Sequence, residues 1–340
     1  MAVEQPPQYT KADFESENDI RWCPGCGDYA ILSAMQNVVP HLGIPKEKFV
    51  FVSGIGCSSR FPHYMSCYGI HTVHGRPLTV ATGIKSVNPE LYVWVITGDG
   101  DGLSIGGNHL IHAIRRNQDF KILLFNNRIY GLTKGQYSPT SELGKKTKST
   151  PMGSIDNPVN PVSLAIASGA TFVARTVDKN VKHMMEVFKK AAAHKGTAFI
   201  EIYQNCLVFN DNAFVDFTDK EIKDEHSIYL EDGKPLTFGK NADKTIKLNG
   251  FHPEIVKSGN GNPSSAYIHN SKTEDRALAY VLGQMGVENQ GLPVAFGVFR
   301  SVEEPTYQER LLEQEKLSKE KKPKANLEDV LNSGDTWVVS

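Results

Sequence analysis

Two constellations in this chain carry residue types that do chemistry. The first is a set of cysteines. Cys23 and Cys26 stand in "CPGCGD", Cys57 in "GIGCSS", Cys206 in "IYQNC" and Cys67 in "HYMSCYG". A Cys-x-x-Cys pair is compatible with a redox pair, half of a zinc site, or half of an iron–sulfur site. Zinc ribbons and fingers use two close pairs, which this chain lacks. One pair plus two remote single cysteines suits a cubane cluster, in which each iron takes one thiolate. Pro24 and Gly25 keep the pair on a tight loop that turns backbone N–H groups toward sulfur. A thioredoxin-like pair is the alternative, and it leaves Cys57 and Cys206 without a task. Cys67 reads as a small buried apolar residue.

The second constellation is "TGDGDGLSIGG" with "NN" further on, at Asn126 and Asn127. A diphosphate held by a divalent cation needs hard oxygen ligands. Asp99 offers a carboxylate, Asn127 an amide oxygen, and the backbone carbonyl of Ile129 a third ligand. Gly98, Gly100 and Gly102 let the backbone turn sharply and approach phosphate oxygens. A helix beginning there adds N–H groups and a favourable dipole.

These residues need a scaffold that brings them together. "FVFVSG", "YVWVIT", "KILLFNN", "TFVART" and "TAFIEIYQ" are short apolar runs, each closed by a polar or turn residue, and they predict buried strands. Helical patterns lie between them. "GGNHLIHAIRRNQD" places Leu110, Ile111 and Ile114 on one face, and "NPVSLAIASGA" follows an asparagine–proline cap signal. "NVKHMMEVFKKAAAH" places Val181, Met184, Met185 and Phe188 inward. Alternating strand and helix predicts a parallel sheet wrapped by helices, with ligands at the carboxyl ends of the strands. Asp99, Asn127, Cys57 and Cys206 all follow predicted strands, so they fall on one edge. Cys23 and Cys26 open the domain within reach of it.

The chain of 340 residues divides into an N-terminal arm over 1–18, a main domain over 19–230 and a loop-rich extension with a charged helix over 231–340. Residues 135–160 form a long loop rich in Gly, Ser, Thr, Pro and Lys, of the kind that is functional or mobile. The lysine-rich stretch 316–324 reads as a solvated helix face, broken at Pro323, and the terminal Trp337, Val338 and Val339 are expected to dock. Apolar residues make up 40%, charged residues 22%, and the net charge is −1, which gives no nucleic-acid or membrane footprint. No signal-peptide pattern or bilayer-spanning run is present, so a cytoplasmic location is expected. Thiols stay reduced there, and clustered cysteines hold metal more often than disulfides.

Taken in order, "CPGCGD", "GIGCSS", "HGR", "GDGD…NN", "YGLTKGQ" and a late "NC" resemble the beta subunit of the 2-oxoacid:ferredoxin oxidoreductases over residues 18–230. "VHGRPLTVATGIKSVNPEL" and "GDTWVV" look most like the 2-oxoglutarate branch (2-oxoglutarate synthase). The resemblance implies a thiamine-diphosphate-binding α/β fold: a doubly wound, mostly parallel sheet flanked by helices, with extended terminal arms. It implies that Cys23, Cys26, Cys57 and Cys206 hold a 4Fe–4S cluster, and that Asp99, Asn127 and the Ile129 carbonyl hold Mg2+. By the same matching, Ile55, Gly56, Cys57, Ser58, His74, Gly75, Arg76, Gly100, Asp101, Gly131 and Leu132 contact thiamine diphosphate. Lys134 matches a lysine near the 2-oxoacid or CoA site, and Arg76 and His74 suit phosphate oxygens.

The implied activity is oxidative decarboxylation of a 2-oxoacid with CoA, passing electrons through the cluster to ferredoxin, and in reverse the fixation of carbon dioxide. Pyruvate or branched-chain specificity, or a cluster-free thiamine decarboxylase, are the alternatives. Thiamine enzymes also need a glutamate at the aminopyrimidine ring, and no second domain here supplies one. The family implies an alpha subunit that does, giving a heterodimer, doubled into a dimer of heterodimers.

Overall fold

The computed structural model describes residues 8–257, 266–287, 291–321 and 326–339. Eight strands form the central sheet: β1 (Phe49–Ser53), β2 (Tyr68–His71), β3 (Tyr92–Gly98), β4 (Lys121–Asn126), β5 (Phe172–Val177), β6 (Ala198–Tyr203), β7 (Ser227–Leu230) and β11 (Val294–Ser301). Their order across the sheet is β2-β1-β3-β4-β6-β5-β11-β7. All neighbours run parallel except β11 and β5, which are antiparallel. Three further strands, β8 (Thr237–Phe238), β9 (Lys244–Asn249) and β10 (His252–Lys257), make a small antiparallel sheet.

The apolar runs are continuous because the inner strands are covered on both faces. Successive side chains alternate between two cores. Phe49, Phe51, Trp94, Ile96, Leu123 and Phe125 point into one core, which the helices Asp28–Val38 and Val181–Ala193 close with Ile31, Met35, Met184 and Phe188. Val50, Val52, Val93, Val95, Ile122 and Leu124 point into the other. Leu78, Leu110, Val162 and Leu282 cover that face, one from each of the helices Pro77–Val87, Gly107–Arg115, Pro161–Ala167 and Arg276–Gln284. The Asn160 side chain accepts from the Ser163 N–H, as its cap signal predicts. Val181 is 39% exposed and does not turn inward as expected: it is the first residue of its helix, one turn ahead of the buried stripe begun by Met184.

The N-terminal arm docks through Phe14, which is fully buried against Tyr9 and Phe49; residues 1–7 lie outside the described residues. The sheet continues past the expected boundary at 230. β11 sits between β5 and β7, drawn in by its own apolar run "VAFGVF". The helix Tyr307–Lys321 is solvated as expected, while 322–324 lie outside the described residues. Trp337, Val338 and Val339 are 82%, 94% and 85% exposed, so they do not dock on this chain. The preceding helices bury only Gln308 between them and offer no apolar face to receive the terminus. No helix among the described residues is long and apolar enough to cross a membrane.

Candidate active site

Chain direction creates the site. After β1 the chain passes to the sheet edge as β2, whereas after β3 it passes the other way to β4. The loops leaving β1 and β3 therefore diverge and open a crevice at their carboxyl ends. A cavity of about 160 Å³ lies there. Ile55, Gly56, Cys57 and Ser58 line it from the loop after β1, and His74 from the loop after β2. Gly98, Asp99, Gly100 and Asp101 line it from the end of β3, and Asn127, Ile129, Gly131 and Leu132 from the segment after β4. The cation ligands expected from sequence thus converge with nine of the eleven expected cofactor contacts.

Two expected contacts stand behind this lining. Gly75 and Arg76 do not line this cavity. The Arg76 guanidinium meets the His109 ring on the helix Gly107–Arg115. Asp101 lines the cavity, yet its carboxylate is taken up by the protein. Oδ1 accepts from Gly75 N–H at 2.7 Å and Ile55 N–H at 3.1 Å and meets His74 Nδ1 at 2.6 Å, while Oδ2 accepts from the Thr97 hydroxyl at 2.7 Å. Asp101 is therefore a brace that ties the loops after β1 and β2 to strand β3. Gly54 must lack a side chain for this, since a Cβ there would stand 1.9 Å from Asp101 Oδ2.

Asp99 is held with equal care. It is buried, and its Oδ2 accepts from the Ser138 and Thr140 hydroxyls, both at 2.6 Å. Burial pushes its pKa up to about 6, against the pull of those two hydroxyls. A cation near the carboxylate reverses that penalty. Thr140 Oγ1, whose single proton faces Asp99, also lies 2.8 Å from Asn126 Oδ1; Asn126 donates to Glu201 at 2.7 Å, and Glu201 accepts from Arg175 Nε at 2.7 Å. The long loop after β4 is thereby locked to the sheet interior. Ser138 and Thr140 escaped the sequence reading because the loop has no periodicity; its density of hydroxyls was the available signal. Asn127 donates to Gln204 at 2.8 Å, which leaves Oδ1 on the side of the Ile129 N–H, 3.2 Å away.

A second cavity of about 190 Å³ abuts the first and shares Asp28, Cys57, Asn127, Gly131 and Leu132 with it. Cys23, Cys26, Cys57 and Cys206 all line it, with Lys134 at its rim. The Cys57 and Cys206 sulfurs each lie 3.6 Å from where a Cβ on Gly131 would stand. Among the described residues, no three His, Cys, Asp or Glu side chains converge on a single-ion site. Four thiols line one space, a donor set that a cubane cluster would fit.

The sulfurs also have donors. Gln204 donates to Cys26 Sγ at 3.3 Å, burial raises the Cys206 thiol against the opposing pull of the backbone N–H groups of Phe209, Val208 and Asn210, and the Trp22 indole donates to the Cys57 carbonyl at 2.7 Å. Burial pushes the Cys57 thiol up to about 12 and Cys26 higher still, so metal rather than solvent is what would draw out their protons. Cys67 does not line this space and packs against the core as a small apolar residue.

Asp28, unmarked in the sequence reading, forms part of the wall between the cavities. It is buried, and burial pushes its pKa up to about 7 against the opposing pull of the Cys26 thiol. The signal was an acid opening a helix directly after "CPGCG". A larger cleft of about 930 Å³ at the opposite edge, near Phe172 and Arg300, contains none of these residues.

Comparison with known proteins accords with this geometry. Residues 54–202 match the thiamine pyrophosphate enzyme, C-terminal TPP binding domain family. The chain is 49% identical to the 2-oxoglutarate oxidoreductase subunit KorB of Mycobacterium tuberculosis, over 98% of this chain and 89% of that one. It is 51% identical to a 2-oxoacid:ferredoxin oxidoreductase subunit beta of Saccharolobus solfataricus, over 59% of this chain and 67% of that one. Among solved structures it superposes on a 2-oxoglutarate:ferredoxin oxidoreductase from Magnetococcus marinus, described with 2-oxoglutarate, coenzyme A and succinyl-CoA bound. The TM-score is 0.78 and the identity 31%, with 98% of each chain covered.

Proposed function

Since this chain belongs to the beta subunits of the 2-oxoacid:ferredoxin oxidoreductases, we propose that it acts with an alpha subunit to decarboxylate 2-oxoglutarate oxidatively, forming succinyl-CoA and carbon dioxide and passing electrons to ferredoxin. The observation that carries this reading is the common wall: Cys57, Asn127 and Gly131 line both the cofactor cavity and the four-thiol cavity. A cofactor that releases electrons and a cluster that accepts them would then be neighbours. The 2-oxoglutarate branch is favoured by the Mycobacterium tuberculosis relative, which matches nearly the whole chain.

In this reading Asp99, Asn127 and the Ile129 carbonyl hold Mg2+ and, through it, a diphosphate. Gly100 leaves its side-chain space to Tyr130, whose hydroxyl donates to the Gly100 carbonyl at 3.0 Å and fixes the turn. Bound thiamine diphosphate supplies the electron sink at the carbon that loses carbon dioxide. Cys23, Cys26, Cys57 and Cys206 hold a 4Fe–4S cluster, which supplies one-electron steps. The buried Phe125 gives the cofactor cavity an apolar wall, with Leu132 at its side. No glutamate lines that cavity among the described residues, so the aminopyrimidine partner comes from the alpha subunit, in a dimer of heterodimers. Thiols that must stay reduced until metal binds suit the cytoplasm. Residues 19–230 carry the chemistry, with the 1–18 arm packed on them through Phe14 and β11 of the 231–340 segment completing their sheet.

The test is CoA-dependent viologen reduction by the purified complex, with 2-oxoglutarate against pyruvate. A clear preference for 2-oxoglutarate supports the reading, and equal turnover or a preference for pyruvate overturns the substrate assignment. Asp99→Ala should lose thiamine diphosphate and Mg2+ together.

A further inference from the structure

Beside the four-thiol cavity a basic cleft of about 480 Å³ opens to solvent. Lys134, Lys146 and Lys148 line it with Val208 and Phe209, and no acidic residue does. Lys134, Val208 and Phe209 also line the thiol cavity. The cleft shares no lining residue with the cofactor cavity. The three spaces therefore run in sequence, from cofactor to thiols to lysines.

The lysines are presented on ordered backbone. Residues 142–154 form a hairpin in which Gly144 N–H donates to Ser154 O at 2.8 Å and Ser154 N–H to Lys145 O at 3.0 Å. Thr147 and Thr150 exchange backbone bonds at its tip, at 3.2 and 3.1 Å. Lys145 turns inward to the Asn210 side chain, whose amide donates to the Asn127 carbonyl at 2.9 Å. Lys146 and Lys148 on either side of the tip residue Thr147 are exposed, and no ion pair engages them among the described residues. Lys134 is held at φ +77° in the turn closed by Gly135 N–H to Tyr130 O at 2.8 Å. Between the lysines, Val208 is 55% and Phe209 37% exposed. An apolar centre with a charged rim is the anatomy of a protein contact.

We propose that this cleft is the docking surface for an acidic electron-carrier protein, which receives its electrons through the four-thiol cavity. The proposal rests on the reading that the thiols hold a cluster. Its argument is charge complementarity and order. A carrier must approach the cluster from the side away from the cofactor, and the lysines that line the cleft there have no acid among the other lining residues to neutralise them. The balance is a 2-oxoacid carboxylate, CoA thiol and two oxidised carriers giving acyl-CoA, carbon dioxide, one proton and two reduced carriers. The bond to the carboxylate carbon breaks, the bond to sulfur forms, and each carrier leaves with one electron. Positive rim charge speeds such encounters and makes them salt-sensitive.

The test uses the reconstituted alpha–beta complex carrying Lys146→Gln and Lys148→Gln together, with an acidic ferredoxin as probe. Binding of oxidised ferredoxin is titrated calorimetrically, and reduction of ferredoxin and of methyl viologen is followed across ionic strength. We expect the ferredoxin Kd and KM to rise about tenfold at low salt and their salt dependence to flatten. Viologen turnover and the KM for CoA should stay within about twofold of wild type. Unchanged ferredoxin binding and salt dependence overturn the docking surface. So does a raised KM for CoA with ferredoxin binding intact, which assigns the lysines to CoA phosphates instead. If the wild-type complex reduces viologen but neither binds nor reduces ferredoxin, the carrier class itself is wrong, a failure separable from a misplaced surface.

Discussion

The Thr140 hydroxyl donates to Oδ2 of Asp99 at 2.6 Å, and so a loop without regular structure holds the carboxylate at the end of β3. Through Asn126 and Glu201 the same hydroxyl is joined to Arg175, buried within the sheet. A hydrogen bond to a charged group contributes about 1.5–3 kcal/mol. Thr140→Val should therefore weaken Mg2+-dependent binding of thiamine diphosphate by about tenfold or more, read by calorimetry on the assembled complex. Thr140→Ser should restore it. Wild-type affinity in the valine variant would show that Ser138 alone positions the carboxylate.

The Arg175–Glu201 pair is fully buried, and removing one partner strands the other charge. Glu201→Gln should cost about 3–5 kcal/mol of stability, and Arg175→Met with Glu201→Leu should recover most of it. Urea unfolding of the three proteins decides this. If the single variant is as stable as wild type, the pair is not the anchor described above.

Cys206 and Cys67 make a matched contrast, since one lines the thiol cavity and the other packs in the core. Cys206→Ser should bring iron content below about half of wild type and abolish viologen reduction with the fold intact. Cys67→Ser should leave iron unchanged. The reverse pattern would exchange their roles.

His183 and His194 are buried away from the site, and burial pushes both down to about 4. Lys190 near His183 and Lys121 near His194 add to the effect. The unfolded chain binds a proton at each near pH 6.5, whereas the folded chain refuses it until about 4. Their contribution is thus present above about pH 6.5 and is lost as pH falls toward 4, on the order of 3 kcal/mol each. His183→Gln should flatten the acid limb of a plot of urea midpoint against pH. An unaltered acid limb would mean that His183 protonates without cost.

Much of the site was legible because chemistry sits at strand ends. A buried apolar run followed by glycine, aspartate or asparagine both ends a strand and places a ligand at its carboxyl edge. Asp99, Asn127, Cys57 and Cys206 were found this way. Val294–Ser301 carries the same apolar signal, yet nothing local says that it enters the sheet antiparallel beside β5. Its place depends on an edge left open by strands far away in the chain.

The sequence by itself determined the five inner strands, three of the helices that cover them, the cofactor loop and the set of four cysteines, because periodicity and residue type are local properties; the helices Asp28–Val38, Pro77–Val87 and Arg276–Gln284 were not read from it. Tertiary structure alone decided partner choice. It turned Arg76 to His109, spent the Asp101 carboxylate on two loops and strand β3, left Trp337 exposed, and brought the buried Asp28 beside the Cys26 thiol between two cavities. Those outcomes follow from which groups meet across the packed interior, where a polar atom takes the donor within about 3 Å of it, however far apart the two stand in the chain.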